Sequence, residues 1–311
     1  MTRIAIVADE IGWHTRQLQA ALRARAVLGR CIDLADCRID THAAWHGLAL
    51  PGFGELPDAV LVRGIAGGTF EQVTRRLTVL HALRELGVPV YNDARAIERS
   101  VDKSMTSVLL HARNVPSPPS WALESAAQAR QLVVREAAAG NALVLKPLFG
   151  SQGKGLRRVG FVNGRFVGLP SLNGGRYASV AYLQRFVPAT TRPGFDWRVL
   201  VIGGRAVSAM RRVSRHWVHN VARGARCERA DLTPELAGLA QQAADALALD
   251  YAGVDLMPSA GGALVIEVNG VAAWRGLQRV TPFNIARALV DDLLDRKLAQ
   301  QRAQSLQQGV A

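Results

Sequence analysis

Asp255, Glu267 and Asn269 put three oxygen-bearing side chains into two short segments, GVDLMP and ALVIEVN. In ALVIEVN an apolar run meets Glu267, Val268 and Asn269, and strand alternation places Glu267 and Asn269 on one face, about 7 Å apart. Only Ser259-Ala260-Gly261-Gly262 separates the two segments, which predicts an antiparallel hairpin with Asp255 across from the Glu267 end. Hard oxygen ligands on adjacent strands suit one or two magnesium ions, and the same groups left unpartnered on a half-buried face would be costly. The competing reading is two carboxylates facing solvent at a sheet edge; Asn269, two residues past Glu267, weighs against it.

A second constellation is cationic. KPLFGSQGKGL puts Lys146 at the end of an apolar strand, with Gly150, Ser151, Gln152, Gly153 and Gly155 in the nine residues that follow. Glycines let backbone amides approach phosphate oxygens closely. It is not a Walker A loop, because Leu156-Arg157 stand where Lys-Ser/Thr is required, and no third glycine completes a dinucleotide fingerprint. Alone, the stretch reads as a surface hairpin as readily as a phosphate flap. Lys103, in SVDKSMT, could clamp a polyphosphate from the other side. Arg198, Arg212 and Asn220, from DWRVL, MRR and WVHN, are donors of the kind that neutralise a transferring phosphoryl group, although each arginine taken singly reads as surface.

Alternating strand and helix patterns must position these groups. RIAIVAD then WHTRQLQAALRARAV, DAVLVRGIAGG then FEQVTRRLTVLHALRELG, and VPVYND predict a small doubly wound parallel sheet over residues 1–97, with Arg63 at a ligand-bearing strand end. A second unit, 98–184, holds a helix capped by Ser100 and running through Leu110, the extended VPSPPS, a helix over 125–139, the strand NALVLKP, the Gly-rich loop and a hairpin at Asn163-Gly164. A third, 185–311, holds two strands joined at Gly203-Gly204, a helix over 234–249, the metal hairpin, a helix over 282–299 and a polar tail expected to fray. No internal repeat is visible. The fold class is α/β with α+β character.

Bulk properties bound the partners. The 311 residues are 49% apolar, enough for a sizeable core. No apolar run approaches a membrane span, and IAIVA is too short for a signal peptide. Cys31, Cys37 and Cys227 have no metal-type spacing and fit a reducing cytoplasm. The formal charge of +13 favours phosphate, polycarboxylate or nucleic-acid partners. Scattered arginines without interleaved aromatics argue against nucleic acid. A non-enzymatic nucleotide- or RNA-binding protein is the rival of another class.

Taken in order, Lys103, KPLFGSQGKG, YLQRFV, DWRVLVIGG, Arg212, Asn220, GVDLMP and IEVN closely resemble the ATP-grasp superfamily, and within it the RimK-like ATP-dependent glutamate ligases. The likeness spans roughly residues 60–292. The segments VRGIAGGTFEQVTRRLTVLHALRELGVPVYNDARAIERSVDK and EVNGVAAWRGLQRVT look most like the branch that adds L-glutamate to tetrahydromethanopterin or to a deazaflavin cofactor.

The resemblance implies an N-terminal pre-ATP-grasp domain and two α+β subdomains clamping ATP. Lys103 and Lys146 would hold phosphates, with the amides from Ser151 to Gly155 closing over them. The hinge Gln184, Arg185, Phe186 and Val187 would read adenine largely through backbone groups, and Asp196 would bind ribose. Asp255, Glu267 and Asn269 would carry two Mg2+ ions, with Mn2+ an alternative, while Arg212 and Asn220 sit by an acyl phosphate. ATP would phosphorylate the carboxylate of a small acceptor (pterin, furan or deazaflavin type), and the amine of L-glutamate would displace phosphate. No protein nucleophile is needed, which fits the absence of a nucleophile elbow or a Cys-His signature. Arg63 and Arg275 would meet substrate carboxylates, and Trp274 would offer a flat face to the acceptor or else pack in the core. Another amino acid, a peptide or a protein terminus as substrate would share the same ATP site. Superfamily relatives often self-associate, so a homo-oligomer is an open expectation. Two departures stand out: Arg185 where relatives commonly have Glu, and Gly270-Val271-Ala272-Ala273-Trp274 where relatives often show Pro-Gly.

Overall fold

The computed structural model describes residues 1–42, 45–150, 152–173, 175 and 177–308. The N-terminal segments form β1 (Arg3–Val7), α1 (Trp13–Ala24), β2 (Leu28–Ile32), a ribbon of β3 (Arg38–Ile39) and β4 (Leu48–Ala49), β5 (Ala59–Val62), α2 (Phe70–Glu85) and β6 (Val90–Tyr91). One parallel sheet runs β2-β1-β5-β6. The unbroken burial of β5 is what a strand covered on both faces requires. Sequence reasoning missed β2, β3 and β4: β2 and β3 carry Arg30 and Arg38 where an apolar run would mark a strand, and β4 is only two residues long.

Next come α3 (Ala94–Val101), α4 (Lys103–Ala112), β7 (Ser120–Leu123), α5 (Ala126–Ala138), β8 (Ala142–Lys146), β9 (Arg157–Val162), β10 (Arg165–Val167) and β11 (Ala181–Arg185). The expected single helix from Ser100 is two. Asp102 ends α3 and caps α4 by accepting from the Ser104 and Met105 amides, while the Ser100 hydroxyl donates back to the Ile97 carbonyl. With Asp102 as the cap, the helix starts on Lys103. The second sheet runs β10-β9-β8-β11-β7. Its β9–β10 hairpin turns at Asn163 and Gly164, both left-handed at φ 50° and 80°.

The third sheet, β14-β13-β12-β15-β16, is built from β12 (Gly194–Ile202), β13 (Arg205–Ser214), β14 (Arg226–Ala230), β15 (Tyr251–Ser259) and β16 (Gly262–Asn269), with α6 (Pro234–Ala246) against it. After it come α7 (Arg275–Gln278), α8 (Ile285–Asp292), a wider π-helical stretch over Leu293–Leu298 and α9 (Ala299–Gln308). The last helix starts three residues later than expected, where Asn284 accepts from the Arg287 amide, and the tail expected to fray is helical through Gln308. Its Gln and Ala content is compatible with helix.

The first and third sheets share one core. Ile4, Ile6, Leu18 and Leu22 pack with Leu200, Ile202, Tyr251, Ile285 and Leu289. At that junction Asn92 is fully buried. Its amide donates to the carbonyls of Tyr251 and Gly270 and accepts from the amides of Asp250 and Tyr251. One side chain therefore pins both free ends of the β15–β16 hairpin to the N-terminal unit.

Candidate active site

Pairing along β15–β16 sets Asp255 directly across from Glu267, as the short turn predicted. Both line one cleft. Lys103, Lys146, Gly153, Asp196, Arg212 and Asn220 line the same cleft. The two lysines and the carboxylate hairpin thus converge, although the residues lie more than a hundred positions apart.

Lys146 leaves the end of β8 and donates to Gln184 Oε1 at 2.7 Å, and Gln184 in turn donates to Ser120 Oγ. Gln184 therefore orients a lysine. Burial, only partly offset by Glu267, brings the Lys146 ammonium down to about 8. Burial also lowers Lys103, against the pull of Glu267 and Asp102. Lys103 Nζ donates to the carbonyls of Leu148 and Gly150, holding the base of the Gly-rich loop. Further along, Gly153 has φ 67°, and a Cβ there would lie 2.6 Å from Asn220 Oδ1. Only glycine lets the loop pass so close to the WVHN segment. Arg223 Nη2 donates to the Gly153 carbonyl, and the Tyr177 hydroxyl donates to Gly155. Gln152 is left-handed at φ 59°. Ser151 lies outside the described residues.

The third sheet supplies a buried ionic chain. Arg212 on β13 donates from Nε and Nη2 to both oxygens of Asp196, each at 2.7 Å, and reaches Asp255 at 2.9 Å. Arg198, cross-strand from Asp255, grips it through Nε and through Nη2 at 2.8 Å. Burial opposes the charge on Asp255, but Arg198 and Arg212 outweigh it and hold the carboxyl below the usual range. Burial dominates at Asp196, which rises to about 7 despite Arg212. Asp196 is 3% exposed with both oxygens engaged, so it stands as an anchor for Arg212 where the resemblance implied a ribose contact. Beside it His219, 4% exposed, has a buried Nε2 without a partner and is held neutral, down to about 4, by burial and Arg212.

At the hinge the amides of Arg185 and Phe186 donate to the carbonyls of Pro119 and Ala142, while both residues line the cleft with Gln184 and Val187. The Arg185 guanidinium turns to the buried Glu136 on α5, at 2.8 Å from Oε2. Trp217, Arg158 and His219 went unnoticed in the sequence. Trp217 meets Phe186 edge-on with Arg158 over both rings, and the only signal was the aromatic-rich RHWVHN.

Asn269 lies opposite Gly253 and donates from Nδ2 to its carbonyl, which leaves Oδ1 for a cation. Among the described residues no three His, Cys, Asp or Glu side chains gather as a metal site. Two carboxylates and an amide oxygen nevertheless fit magnesium, which keeps waters and substrate phosphates as further ligands. Of the expected substrate residues, Arg63 donates to the Val271 carbonyl and Arg275 is exposed at the start of α7. Trp274 is 1% exposed and packs in the shared core, so it offers no flat face to an acceptor; its apolar ring is drawn in with Leu277 and Ile285.

The cleft lined by two lysines, a glycine-rich loop and a carboxylate hairpin belongs to a chain of an ATP-dependent ligase family. The model of the RimK-like ATP-grasp domain matches residues 100–293 and that of the RimK PreATP-grasp domain residues 2–97; the chain belongs to the RimK-like ATP-grasp family. It is 36% identical over 237 residues to tetrahydromethanopterin:alpha-L-glutamate ligase of Methanococcus maripaludis, covering 75% of this chain and 78% of that one. A probable alpha-L-glutamate ligase of Maridesulfovibrio salexigens is 28% identical over 286 residues, 90% of each chain. Among solved structures, the ATP-grasp ligase PsnB complexed with minimal precursor superposes with a TM-score of 0.70 at 22% identity, over 97% of this chain and 99% of that one, a likeness of fold. No helix among the described residues is long and apolar enough to cross a membrane.

Proposed function

We propose that the protein adds L-glutamate to a carboxylate of a small cofactor, of the tetrahydropterin, furan or deazaflavin type, through an acyl phosphate. The observation that carries this reading is the convergence of Lys103 and Lys146 with Asp255 and Glu267 in one cleft, taken with the names of the relatives. In this reading Lys103 and Lys146 bind the phosphates, and the loop over Gln152–Gly155 excludes water that would hydrolyse the intermediate. Asp255, Glu267 and Asn269 hold two magnesium ions, with manganese able to replace them; the metal supplies charge neutralisation on the phosphoryl oxygens. Arg198 and Arg212 keep the metal carboxylate oriented, and Asn220 sits beside the γ-phosphate under the loop. Phe186, Trp217 and the Val187 amide receive the base. The units 1–97, 98–184 and 185–311 act as substrate cap, upper jaw and lower jaw in a cytoplasmic enzyme.

The test is ADP release with purified protein, ATP and Mg2+, screening amino acids against the three acceptor classes, followed by mass spectrometry. A product heavier by one or more glutamyl units is expected. Turnover with another amino acid and none with L-glutamate would overturn the reading.

A further inference from the structure

Outside the nucleotide cleft, the loop after β16 carries a second cluster of donors. His14, near the start of α1, accepts at Nε2 from the backbone amides of Trp274 and Arg275, both at 3.2 Å. A ring nitrogen that accepts N–H groups carries no proton, so this imidazole is neutral and bears its hydrogen on Nδ1. Burial first, then Arg63 and Arg275, push its ionisation down to about 4, in agreement with that geometry. Its ring meets Trp274 edge-on with centroids 4.6 Å apart, and the Arg63 guanidinium lies 5.3 Å from the centre of the same indole.

Arg63 follows β5, at the sheet edge where ligands gather in open parallel sheets. One of its nitrogens, Nη1, donates to the Val271 carbonyl at 3.1 Å. Its Nε is buried without an acceptor, and so is Trp274 Nε1. Among the described residues neither Arg63 nor Arg275 forms an ion pair with a carboxylate. The cluster holds two cations and orphaned donors with no anion to match. A Cβ on Gly253 would lie 2.8 Å from Ala272 Cβ and 3.1 Å from Arg198 Cδ, so the segment whose Val271 carbonyl accepts from Arg63 packs on the strand that bears Asp255.

We propose that Arg63 and Arg275, positioned by His14 and the buried Trp274, form a subsite for a substrate carboxylate that does not react. The inference rests on the ligase reading above and extends it. A carboxylate being phosphorylated belongs beside Arg198 and the metal hairpin, whereas an acidic amino acid keeps all of its carboxylates through the reaction and needs permanent partners for them. A guanidinium that donates to one carbonyl and is ion-paired to no carboxylate keeps its charge for such a group. His14 is a positioning residue: it fixes the loop that carries Arg275 and contacts no substrate.

Two measurements on the full-length protein test this. Steady-state kinetics with ATP, Mg2+, L-glutamate and a pterin, furan or deazaflavin acceptor separate the KM values. Calorimetric titration of L-glutamate, with L-glutamine as the probe lacking one carboxylate, is run with a non-hydrolysable ATP analogue and needs no acceptor. Arg63→Met is expected to raise the KM and Kd for L-glutamate about tenfold or more, with the KM for ATP within about twofold. His14→Ala should do the same, and His14→Gln, whose carbonyl can accept the two amides, should restore wild-type values within about threefold. A rise in the acceptor KM instead still supports the subsite and assigns it to the acceptor's spare carboxylate. Unchanged KM and Kd for both substrates in Arg63→Met, folded by its thermal melt, overturn the proposal. So does a His14→Ala variant that melts lower without any shift in KM. If the wild type releases no ADP with any pair of substrates, the ligase reading fails, while the L-glutamate titration still decides the subsite.

Discussion

Among the described residues Lys103 and Lys146 donate hydrogen bonds only to neutral acceptors, two carbonyls and an amide, with Glu267 acting on both through space, whereas Arg198 and Arg212 on the third sheet are ion-paired with Asp196 and Asp255. Both walls carry two positive charges, yet they do different work. An ammonium that is not hydrogen-bonded to a carboxylate keeps its attraction for an incoming phosphate, about 4 kcal/mol at 4 Å near a protein surface. A guanidinium whose Nε and Nη2 already hold a carboxylate must first release it to offer that edge. In the proposed function the lysine wall receives the nucleotide, and the arginine wall holds the Asp255 carboxylate in place. Lowered ammonium ionisation on one side and a depressed Asp255 on the other are the electrostatic marks of that division.

The comparison breaks most directly at Glu267, the carboxylate that both lysines feel. Glu267→Gln should cost on the order of 10³-fold in kcat with an unchanged circular dichroism spectrum; activity near wild type would mean that the hairpin holds no metal. Next, Arg212→Met strands Asp196 and weakens the hold on Asp255, so urea unfolding should show a loss of about 3–5 kcal/mol. Lys146→Met is the contrasting variant. It should raise the KM for ATP by about a hundredfold, without a loss of stability comparable to that of Arg212→Met, because it removes a cation that has no buried counter-ion.

A smaller and reversible effect is read in pH. The folded protein releases the Lys146 proton at about 8 and the unfolded chain at 10.5. Between those values the unfolded state binds more protons, so this lysine makes stability rise with pH in the same window in which kcat/KM for ATP falls by about tenfold per unit. Parallel loss of both would contradict the assignment of the lysine wall. The smallest change in binding belongs to Arg185→Ala, which takes a partly exposed guanidinium from the buried Glu136 and leaves that carboxylate to Asn141. A shift in the KM for ATP below about threefold is expected, with a stability loss of about 1–3 kcal/mol from the buried acceptor, read from binding and melting curves.

Much of the site was legible in the chain because it sits on regular strands with short turns. The short turn brings Asp255 to the Glu267 end, where a bulge between Asp255 and Leu256 completes the pairing, and the apolar run of NALVLKP fixes where Lys146 emerges. The misreadings came where local signals compete. Ser100 and Asp102 are both good caps, and only packing of α3 against α4 selects Asp102. Trp274 reads equally as core or as ligand face, and burial against Leu277 and Ile285 decides for core. Asn92, His14 and His219 gave no pattern because each acts through partners remote in sequence or through its own burial.

The sequence by itself determined the longer strands, the metal hairpin as a hairpin, the glycine positions of the loop and the inventory of charges, since these follow from periodicity and backbone stereochemistry over a few residues. Tertiary structure alone decided which charges are paired. Whether a guanidinium meets a carboxylate 57 residues away, as Arg198 meets Asp255, or an ammonium is left with carbonyls, depends on how three sheets come together. That pairing sets the local potential, and the potential separates a nucleotide-receiving cation from a structural one.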